Sequence, residues 1–415
     1  MRIAFMIDQF PSLSETFILN QITGLIDRGH EVDIYSDEFG NTSKVHPEVE
    51  SYRLLDRTYY TKMPSGLSRR LPKAIGLLMA NFYKAPRVLL RSLDFSKYNE
   101  SDYGDGGSIL KCFYSVIPFL GKPAYDIIHC HYGRNGIKSM MLREIGAIEG
   151  TIIVSFHGFD ISNYLQEYGE KIYDQLFEDG NLFQPIGESW KRRLIELGCN
   201  EDKIIVHRMG IDCSKFSFSP RLLDTDRPIR LLSIARLVEK KGLEYGIRAV
   251  AKLARSHQNI EYQIAGDGSL QSKLEQLIQE LDVKDKVKLL GWKKQSEILE
   301  LLNGADILLA PSVTSQNGDR EGIPVTLMEA MARGLPVLST QHSGIPELVQ
   351  DGISGFLVPE RDVDALADKL DYLISHPEDW AKMGRAGRAF VEENYDINKL
   401  NDRLEEIYQQ LLSSD

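Results

Sequence analysis

Short apolar runs alternate with amphipathic stretches along the chain, and this alternation occurs twice. Apolar runs bounded by turn residues predict buried strands, and apolar residues spaced three and four apart predict helices. The first set is predicted as strands at 2–7, 31–35, 126–130, 151–155 and 203–206, with helices at 15–28, 135–147 and 188–197. The second is predicted as strands at 229–235, 260–265, 286–290, 306–310 and 335–339, with helices at 243–257, 270–281, 295–303 and 324–333, followed by helices at 362–375, 378–392 and 397–413.

Turn-forming residues interrupt the alternation between residues 217 and 228. The segment is rich in Ser, Asp and Pro, which is typical of a linker between domains. Because each half repeats strand and helix, the predicted fold class is α/β, with two Rossmann-like doubly wound domains of parallel strands. Such domains are expected to face each other across a cleft, with ligands at the carboxyl ends of the strands.

The bulk composition is that of a soluble globular protein, with 42% hydrophobic residues, 26% charged residues and a net charge of −11. This acidic balance argues against a nucleic-acid partner, which favours a basic surface. The four cysteines show no CxxC spacing, and this predicts a reduced, cytoplasmic protein. No apolar run reaches the length of about 20 residues that spans a bilayer, and the strand-like start is not a signal peptide.

Residues 62–93 reverse the charge of the chain locally, with seven Lys and Arg residues and no Asp or Glu. Apolar residues lie between these cations. One interpretation is an interfacial segment that binds an anionic membrane surface. The other is a pair of helices whose cationic face is solvated, and Pro72 and Pro86 argue against a single long amphipathic helix.

The stretch from Glu321 to Val337 carries the most specific chemical pattern of the chain. A Gly-Ile-Pro turn follows Glu321, and Pro324 suits a helix start because its missing N–H would be unpaired there. Glu329 lies inside that helix, and the free amides at the helix start favour an anion. The order of carboxylate, phosphate cradle and carboxylate matches the sugar, diphosphate and ribose of a nucleotide sugar. The alternative is a core helix with one exposed Glu and a turn Glu.

Two cations follow the first strand of the second predicted domain. Arg236 closes that strand and Lys241 precedes the next helix, so both are expected at the carboxyl edge of the sheet. Two cations beside a helix start suit a diphosphate. The alternative is a solvated basic turn.

Polar residues also follow two strands of the first predicted domain. His157 and Asp160 come after the strand at 151–155, and Ser14 and Glu15 come after the first strand. A His at a strand end beside a glycine can reach a cleft, and the loop after the first strand suits an acceptor. The alternatives are a packing role for His157 and helix capping by Asp160 and Ser14.

In combination, these motifs resemble a large family of retaining glycosyltransferases with the GT-B fold, glycosyltransferase family 4 or glycosyl transferases group 1. The hallmark of that family is a Glu, seven residues and a second Glu, which Glu321 and Glu329 match. The resemblance covers essentially the whole chain and extends to Arg236, Lys241, His157–Gly158, Gly344–Glu347, Gly352 and Gly355. The segments Ser14–Ile18 and Gly29–Val32 look like the exopolysaccharide branch, of the colanic acid or amylovoran type.

The resemblance implies a hexosyltransferase that moves sugar from a nucleotide-diphosphate sugar to a glycan or polyprenyl-diphosphate-linked acceptor, with no cofactor and no metal in the site. It implies an acceptor domain at 1–212, a donor domain at 213–393 and a helix at 394–415 that packs back on the first domain. It places the enzyme in the cytoplasm, peripheral at the inner face of the membrane if 62–93 binds lipid. The implied residues are His157 and Glu321 for catalysis, Arg236, Lys241, Gly322, Ile323, Pro324, Val325, Thr326 and Glu329 for the donor, and Ser14, Glu15 and Asp160 for the acceptor side.

Two alternative functions stay open at this point. Another GT-B nucleotide-sugar enzyme, such as an epimerase, would act without an acceptor. A non-catalytic sensor would bind a sugar nucleotide without turnover, and the intact set of Glu321, Lys241 and Arg236 argues against it.

Overall fold

The chain divides into two compact units, Met1–Arg208 with Leu400–Asp415, and Met209–Lys399. The structure is a computed structural model and describes residues 1–12, 15–40 and 45–414. Each unit contains one six-stranded parallel sheet with helices between its strands.

The first unit contains strands β1 to β6, at Arg2–Phe10, Glu31–Phe39, Thr58–Tyr60, Ile127–His131, Thr151–Phe156 and Leu182–Pro185. Its helices α1 to α10 are Thr16–Asp27, Pro47–Ser51, Leu67–Asn81, Pro86–Arg91, Glu100–Tyr103, Lys111–Val116, Gly133–Ile145, Asn163–Tyr168, Asp174–Asp179 and Glu188–Glu196. The strand order is β3-β2-β1-β4-β5-β6, so the direction of winding reverses between β1 and β4. Ligands of doubly wound sheets bind at the carboxyl ends of the strands beside such a switch point.

The second unit contains strands β7 to β12, at Ile229–Ile234, Ile260–Ala265, Val287–Gly291, Ile307–Ala310, Val337–Thr340 and Gly355–Val358. Its helices α11 to α17 are Leu243–Leu253, Gln271–Glu280, Gln295–Gly304, Val325–Ala332, Ile345–Leu348, Val363–Ser375 and Trp380–Asn394. The order β12-β11-β10-β7-β8-β9 is the same doubly wound arrangement, with its switch point between β7 and β10.

The strands form where the sequence is apolar on both faces, because helices cover both sides of a parallel sheet. In β10, Ile307 and Leu309 belong to one hydrophobic core and Leu308 to another, so the sheet of the second unit lies between two cores. Strand β4 differs, since His129 and His131 occupy fully buried positions in it. The predicted α/β class with two parallel sheets is confirmed.

Some element predictions were wrong at the edges of the sheets. Residues 203–206 form no strand, because only Ile204 makes a bridge, to Phe183. Strands β3, β6 and β12 were missed; each is a short strand at the edge of its sheet. Residues 62–93 contain two helices rather than one, with the break before Pro86 at the start of α4, whereas Pro72 lies inside α3.

From Leu400 onward, the last helix α18 (Ile397–Ser414) belongs to the first unit. The hydroxyl of Tyr408 lies 2.5 Å from Nδ1 of His129, and Nε of Arg28 donates to Asp402 at 2.9 Å. Asn401 also donates to the carbonyl oxygen of Asn20 at 3.2 Å. Over the ranges that the structure describes, no helix combines the length and the apolar character needed to cross a membrane.

Candidate active site

The carboxyl edge of the second sheet carries a buried ion cluster around Glu321. Loops after β7 and β10, the two strands at the switch point, supply its members. Nζ of Lys241 donates to Oε2 of Glu321 at 2.7 Å, and Nζ of Lys240 lies 3.4 Å from Oε1. Burial raises the pKa of Glu321, but the charges of Lys241 and Lys240 outweigh it and hold the pKa below its usual value. Glu321 is therefore an ionised carboxylate paired with two ammonium groups.

Two other residues complete this edge. Arg236 is exposed just after β7 and forms no ion pair with the residues that the structure describes, so its guanidinium is available to an anion. Gly242 has a φ of 60°, and a Cβ there would lie 1.9 Å from the carbonyl oxygen of Pro311. Only glycine fits this approach, which brings the loop of Lys241 against the loop of Glu321.

Helix α14 begins directly after the Gly322–Pro324 turn. Pro324 is its N-cap, and the amides of Val325 and Thr326 lie in its first turn, where a helix provides no partner for them. Ile323 is buried in the core below, whereas Gly322 is partly exposed. These positions suit an anion at the helix start.

Glu329 lies on the same helix and has different surroundings from Glu321. Burial raises its pKa to about 7, although a hydrogen bond with Gln295 and the charge of Arg333 lower it. The two carboxylates of the family hallmark therefore differ in charge near neutral pH.

In the first unit, His157 ends a stack of three histidines. The rings of His129 and His131 are 4.7 Å apart and those of His131 and His157 are 5.1 Å apart, both nearly parallel. Nδ1 of His131 lies 2.9 Å from Nε2 of His157. Burial lowers the pKa of His157 to about 3 and that of the other two well below its usual value, so the stack is neutral. Nδ1 of His157 is buried and has no hydrogen-bond partner within the described ranges.

The three residues predicted on the acceptor side have different positions. Ser14 lies outside the described residues. Glu15 accepts a hydrogen bond from the hydroxyl of Tyr132 at 2.8 Å, and burial raises its pKa. Asp160 is buried and accepts the amide hydrogens of Gly133, His157 and Gly158 at 2.9–3.0 Å. Its carboxylate shapes the His157 loop, and its predicted contact with an acceptor stays a prediction.

A polar cavity of about 330 Å³ adjoins Glu15 at the ends of β1 and β2. Apart from Gly106, every residue that lines it is polar or charged. Its cations are paired with its carboxylates: Lys138 with Asp37 at 2.7 Å, Lys111 with Asp105 at 2.5 Å, and Arg134 with Asp8. This lining suits a hydroxyl-rich ligand, and only Glu15 of this set was identified from the sequence.

Sequence reasoning also missed three residues in the second unit. Lys240 is part of the ion cluster, while His342 and Glu360 hydrogen-bond to the loop that carries Glu321. His342 follows a strand, so the strand-end rule that selected His157 could have selected it. No group of three or more His, Cys, Asp or Glu side chains that could hold a metal occurs in the described part of the chain.

Comparisons with known proteins identify relatives of this chain. The model of the family "Glycosyl transferases group 1" matches residues 215–390. The chain is 37% identical to the putative colanic acid biosynthesis glycosyltransferase WcaL of Salmonella typhimurium, over 99% of this chain and all of that protein. It is 38% identical, with the same coverage, to the amylovoran biosynthesis glycosyltransferase AmsK of Erwinia amylovora. Among solved structures, Anabaena HepE in complex with UDP is similar in fold, with a TM-score of 0.72 and 16% identity over 99% of this chain and all of that one.

Proposed function

The chain belongs to the glycosyl transferases group 1 family and is a glycosyltransferase, and we propose that it transfers a hexose from a nucleotide-diphosphate sugar to a glycan acceptor in exopolysaccharide biosynthesis. The observation that carries this proposal is the cluster of Glu321 with Lys241 and Lys240 at the switch point of the second sheet. The names of WcaL and AmsK support the pathway, and the UDP complex of HepE supports a nucleotide donor.

The donor is assigned to residues 213–393, with its diphosphate held by Arg236, Lys241 and the amides of residues 322–326. An exposed guanidinium and a helix start are the groups that bind phosphate oxygens best. Glu329 then accepts hydrogen bonds from the ribose hydroxyls, and Glu321 faces the sugar near its reacting carbon.

The proposed chemistry is the retaining reaction of family 4. The bond between the anomeric carbon and the diphosphate oxygen breaks, and the acceptor hydroxyl oxygen bonds to the same face of the sugar. The proton of that hydroxyl passes to the leaving diphosphate. Lys241, Arg236 and the helix start stabilise the charge that develops on this leaving group, so the reaction needs no metal. In this proposal His157 is the catalytic residue of the first unit, and burial keeps its ring neutral.

The acceptor is assigned to residues 1–212, at the polar cavity beside Glu15. Paired carboxylates and ammonium groups bind hydroxyls well and apolar chains poorly. This supports the glycan end of a polyprenyl-diphosphate-linked acceptor as the group that enters the cavity.

The proposal is tested with a panel of nucleotide sugars and lipid-linked glycans, with products identified by mass spectrometry. We expect release of the nucleoside diphosphate only when an acceptor is present, together with one added hexose on that acceptor. An altered sugar nucleotide without acceptor would indicate an epimerase. Binding without any product would indicate a sensor.

The proposed location is the cytoplasmic face of a membrane, bound through helix α3. Only Ala74 of this helix is buried, and four exposed apolar side chains follow each other at a spacing of four: Leu67, Leu71, Ile75 and Met79. The two at the end are 62% and 77% exposed. Exposed cations flank this stripe, and residues 62–93 contain no acid. An apolar stripe beside cations is typical of an interfacial helix and favours this interpretation over a solvated face.

Vesicle flotation tests the location. The double substitution Ile75→Glu and Met79→Glu should abolish binding to vesicles of phosphatidylglycerol and phosphatidylcholine, since it places charge in the lipid contact. Ile353→Glu, at an exposed apolar residue of the second unit, is the matched control and should bind as wild type does. Equal binding of the double variant and wild type would contradict the proposal.

A further inference from the structure

His342 and Glu360 join three loops of the second unit at its carboxyl edge. His342 follows β11, Glu360 follows β12, and the loop after β10 contains both Thr314 and Glu321. The amide of Glu321 donates to Nε2 of His342 at 3.0 Å, and Nδ1 of His342 lies 2.6 Å from Oε1 of Glu360. The amide of Thr314 donates to Oε2 of Glu360 at 2.7 Å. The chain of bonds therefore starts and ends in the same loop.

The donors in this series of hydrogen bonds determine which ring nitrogen of His342 carries the proton. Because a backbone N–H can only donate, Nε2 must present its lone pair to Glu321. Nδ1 then carries the hydrogen and donates it to Glu360. The side chain of His342 is 1% exposed, so water cannot replace either partner.

The hydrogen bonds hold the backbone of Glu321 where its carboxylate meets Lys241. The same residue begins the turn whose next amides belong to Gly322 and Ile323. A buried N–H left without its acceptor costs about 1–3 kcal/mol, and the loop would shift to pair it elsewhere. Such a shift would move the carboxylate and the following amides together.

We propose that His342 is a positioning residue for sugar transfer, held by Glu360 as the Nδ1–H tautomer so that Nε2 fixes the backbone of Glu321. This inference rests on the proposed role of Glu321 at the donor sugar. His342 touches neither donor nor acceptor in this scheme. Its effect on the reaction passes entirely through the Glu321 amide.

Two amide substitutions separate the two nitrogens of His342. In His342→Gln the side-chain oxygen takes the place of Nε2 and still accepts from Glu321. In His342→Asn the amide nitrogen takes the place of Nδ1, keeps the bond to Glu360 and leaves the Glu321 amide without its acceptor. Both replacements are polar and smaller than His, so a role in packing alone predicts similar losses for both.

The test compares kcat, the donor KM and UDP binding by calorimetry for wild type, His342→Gln and His342→Asn. Misplacement of a reacting group by about 1 Å costs up to about 100-fold in rate. We expect kcat of His342→Asn to fall between about 10- and 100-fold and that of His342→Gln to stay within about threefold of wild type. Equal kcat losses in the two variants would overturn the positioning role while leaving the glycosyltransferase assignment intact. Absence of sugar transfer by the wild type that binds UDP would instead contradict the proposed function.

A spectroscopic measurement tests the same proposal on the wild type alone, so its outcome does not depend on whether a variant folds. Long-range proton–nitrogen spectra of the protein labelled with ¹⁵N-histidine report the tautomer of each ring. The proposal requires the Nδ1–H form at His342, which is the rarer tautomer of free histidine. The Nε2–H form or a fully protonated ring at neutral pH would overturn it.

Discussion

The two units share one strand order but carry opposite chemistry at the same edge of the sheet. In the second unit, the ends of β7 and β10 hold an ion cluster in which Lys241 pairs with Glu321, and Lys240 lies between Glu321 and Asp319. In the first, the ends of β4 and β5 hold stacked histidines that burial keeps neutral. A doubly wound sheet thus determines where a ligand binds, and the side chains at the strand ends determine the charge of the ligand that fits there. The charged edge at β7 and β10 suits a diphosphate, and the neutral ends of β4 and β5 suit sugar hydroxyls.

Removal of the cation beside Glu321 is expected to have the largest effect on the charged edge. Lys241→Ala deletes a charge that both pairs with Glu321 and, in the proposed function, stabilises the leaving diphosphate. Loss of one such electrostatic contact costs about 100- to 1,000-fold in kcat. We expect a loss of this size in steady-state transfer assays, with the circular dichroism spectrum unchanged.

Lys252→Ala is the matched control for that experiment. Lys252 lies on α11, is half exposed and pairs with Asp364 away from the carboxyl edge. Its removal should leave kcat within about twofold of wild type, as is usual for an exposed pair. If Lys241→Ala and Lys252→Ala were equally active, the charged edge would have no part in the reaction.

Acid should weaken the first unit selectively, because its histidines are buried as neutral groups. Their folded pKa values lie below the unfolded value near 6.5, so the unfolded chain binds more protons and stability falls as the pH drops below 6.5. Between pH 7 and pH 5.5, each of His129, His131 and His157 should lower the free energy of unfolding by about 1 kcal/mol. Asp160 opposes this slightly, since its folded pKa is raised to about 6.

Urea unfolding read by pulsed hydrogen exchange measures this change in each unit separately. Peptides of β4 and β5 should lose protection at a lower urea concentration at pH 5.5 than at pH 7, corresponding to about 3 kcal/mol. Peptides of β7 and β10 should instead keep protection to a higher urea concentration at pH 5.5, by about 1–2 kcal/mol, because the pKa of Glu329 is raised to about 7 and protonation of that group stabilises its unit. Equal shifts in both units would show that the neutral stack does not control acid stability.

The contrast between the units was only partly predictable from the sequence. Apolar runs located nine of the twelve strands, because burial on both faces leaves a strong local signal. The missed strands β3, β6 and β12 lie at the edges of their sheets, each with a neighbouring strand on one side only. Glu321 was identified from the Gly-Ile-Pro turn at a helix start and Lys241 from its position after a strand. Their direct pairing over 80 residues of sequence depends on how two loops fold together.

The neutral state of the histidine stack could not be predicted from the sequence. His129 and His131 alternate on a strand, which places them on one face, but only the structure shows that His157 continues the stack. Likewise, Glu360 contacts Thr314 across 46 residues, and no local pattern marks such a pair. Local signals therefore predicted the positions of the charged residues, whereas charge states and hydrogen-bond partners required the tertiary structure.

The smallest expected effect concerns the second carboxylate of the charged edge. The pKa of Glu329 is about 7, and a ribose hydroxyl donates best to an ionised carboxylate. Between pH 6 and pH 8 the ionised fraction rises from about one tenth to nine tenths, so UDP should bind about tenfold more tightly at pH 8 in calorimetry. UDP itself titrates in this range, and Glu329→Gln, which cannot ionise, isolates the contribution of the carboxyl group. Parallel pH profiles for wild type and Glu329→Gln would show that Glu329 does not contact the donor. A flatter profile for Glu329→Gln would show that Glu321 and Glu329 have different charge states before the donor binds.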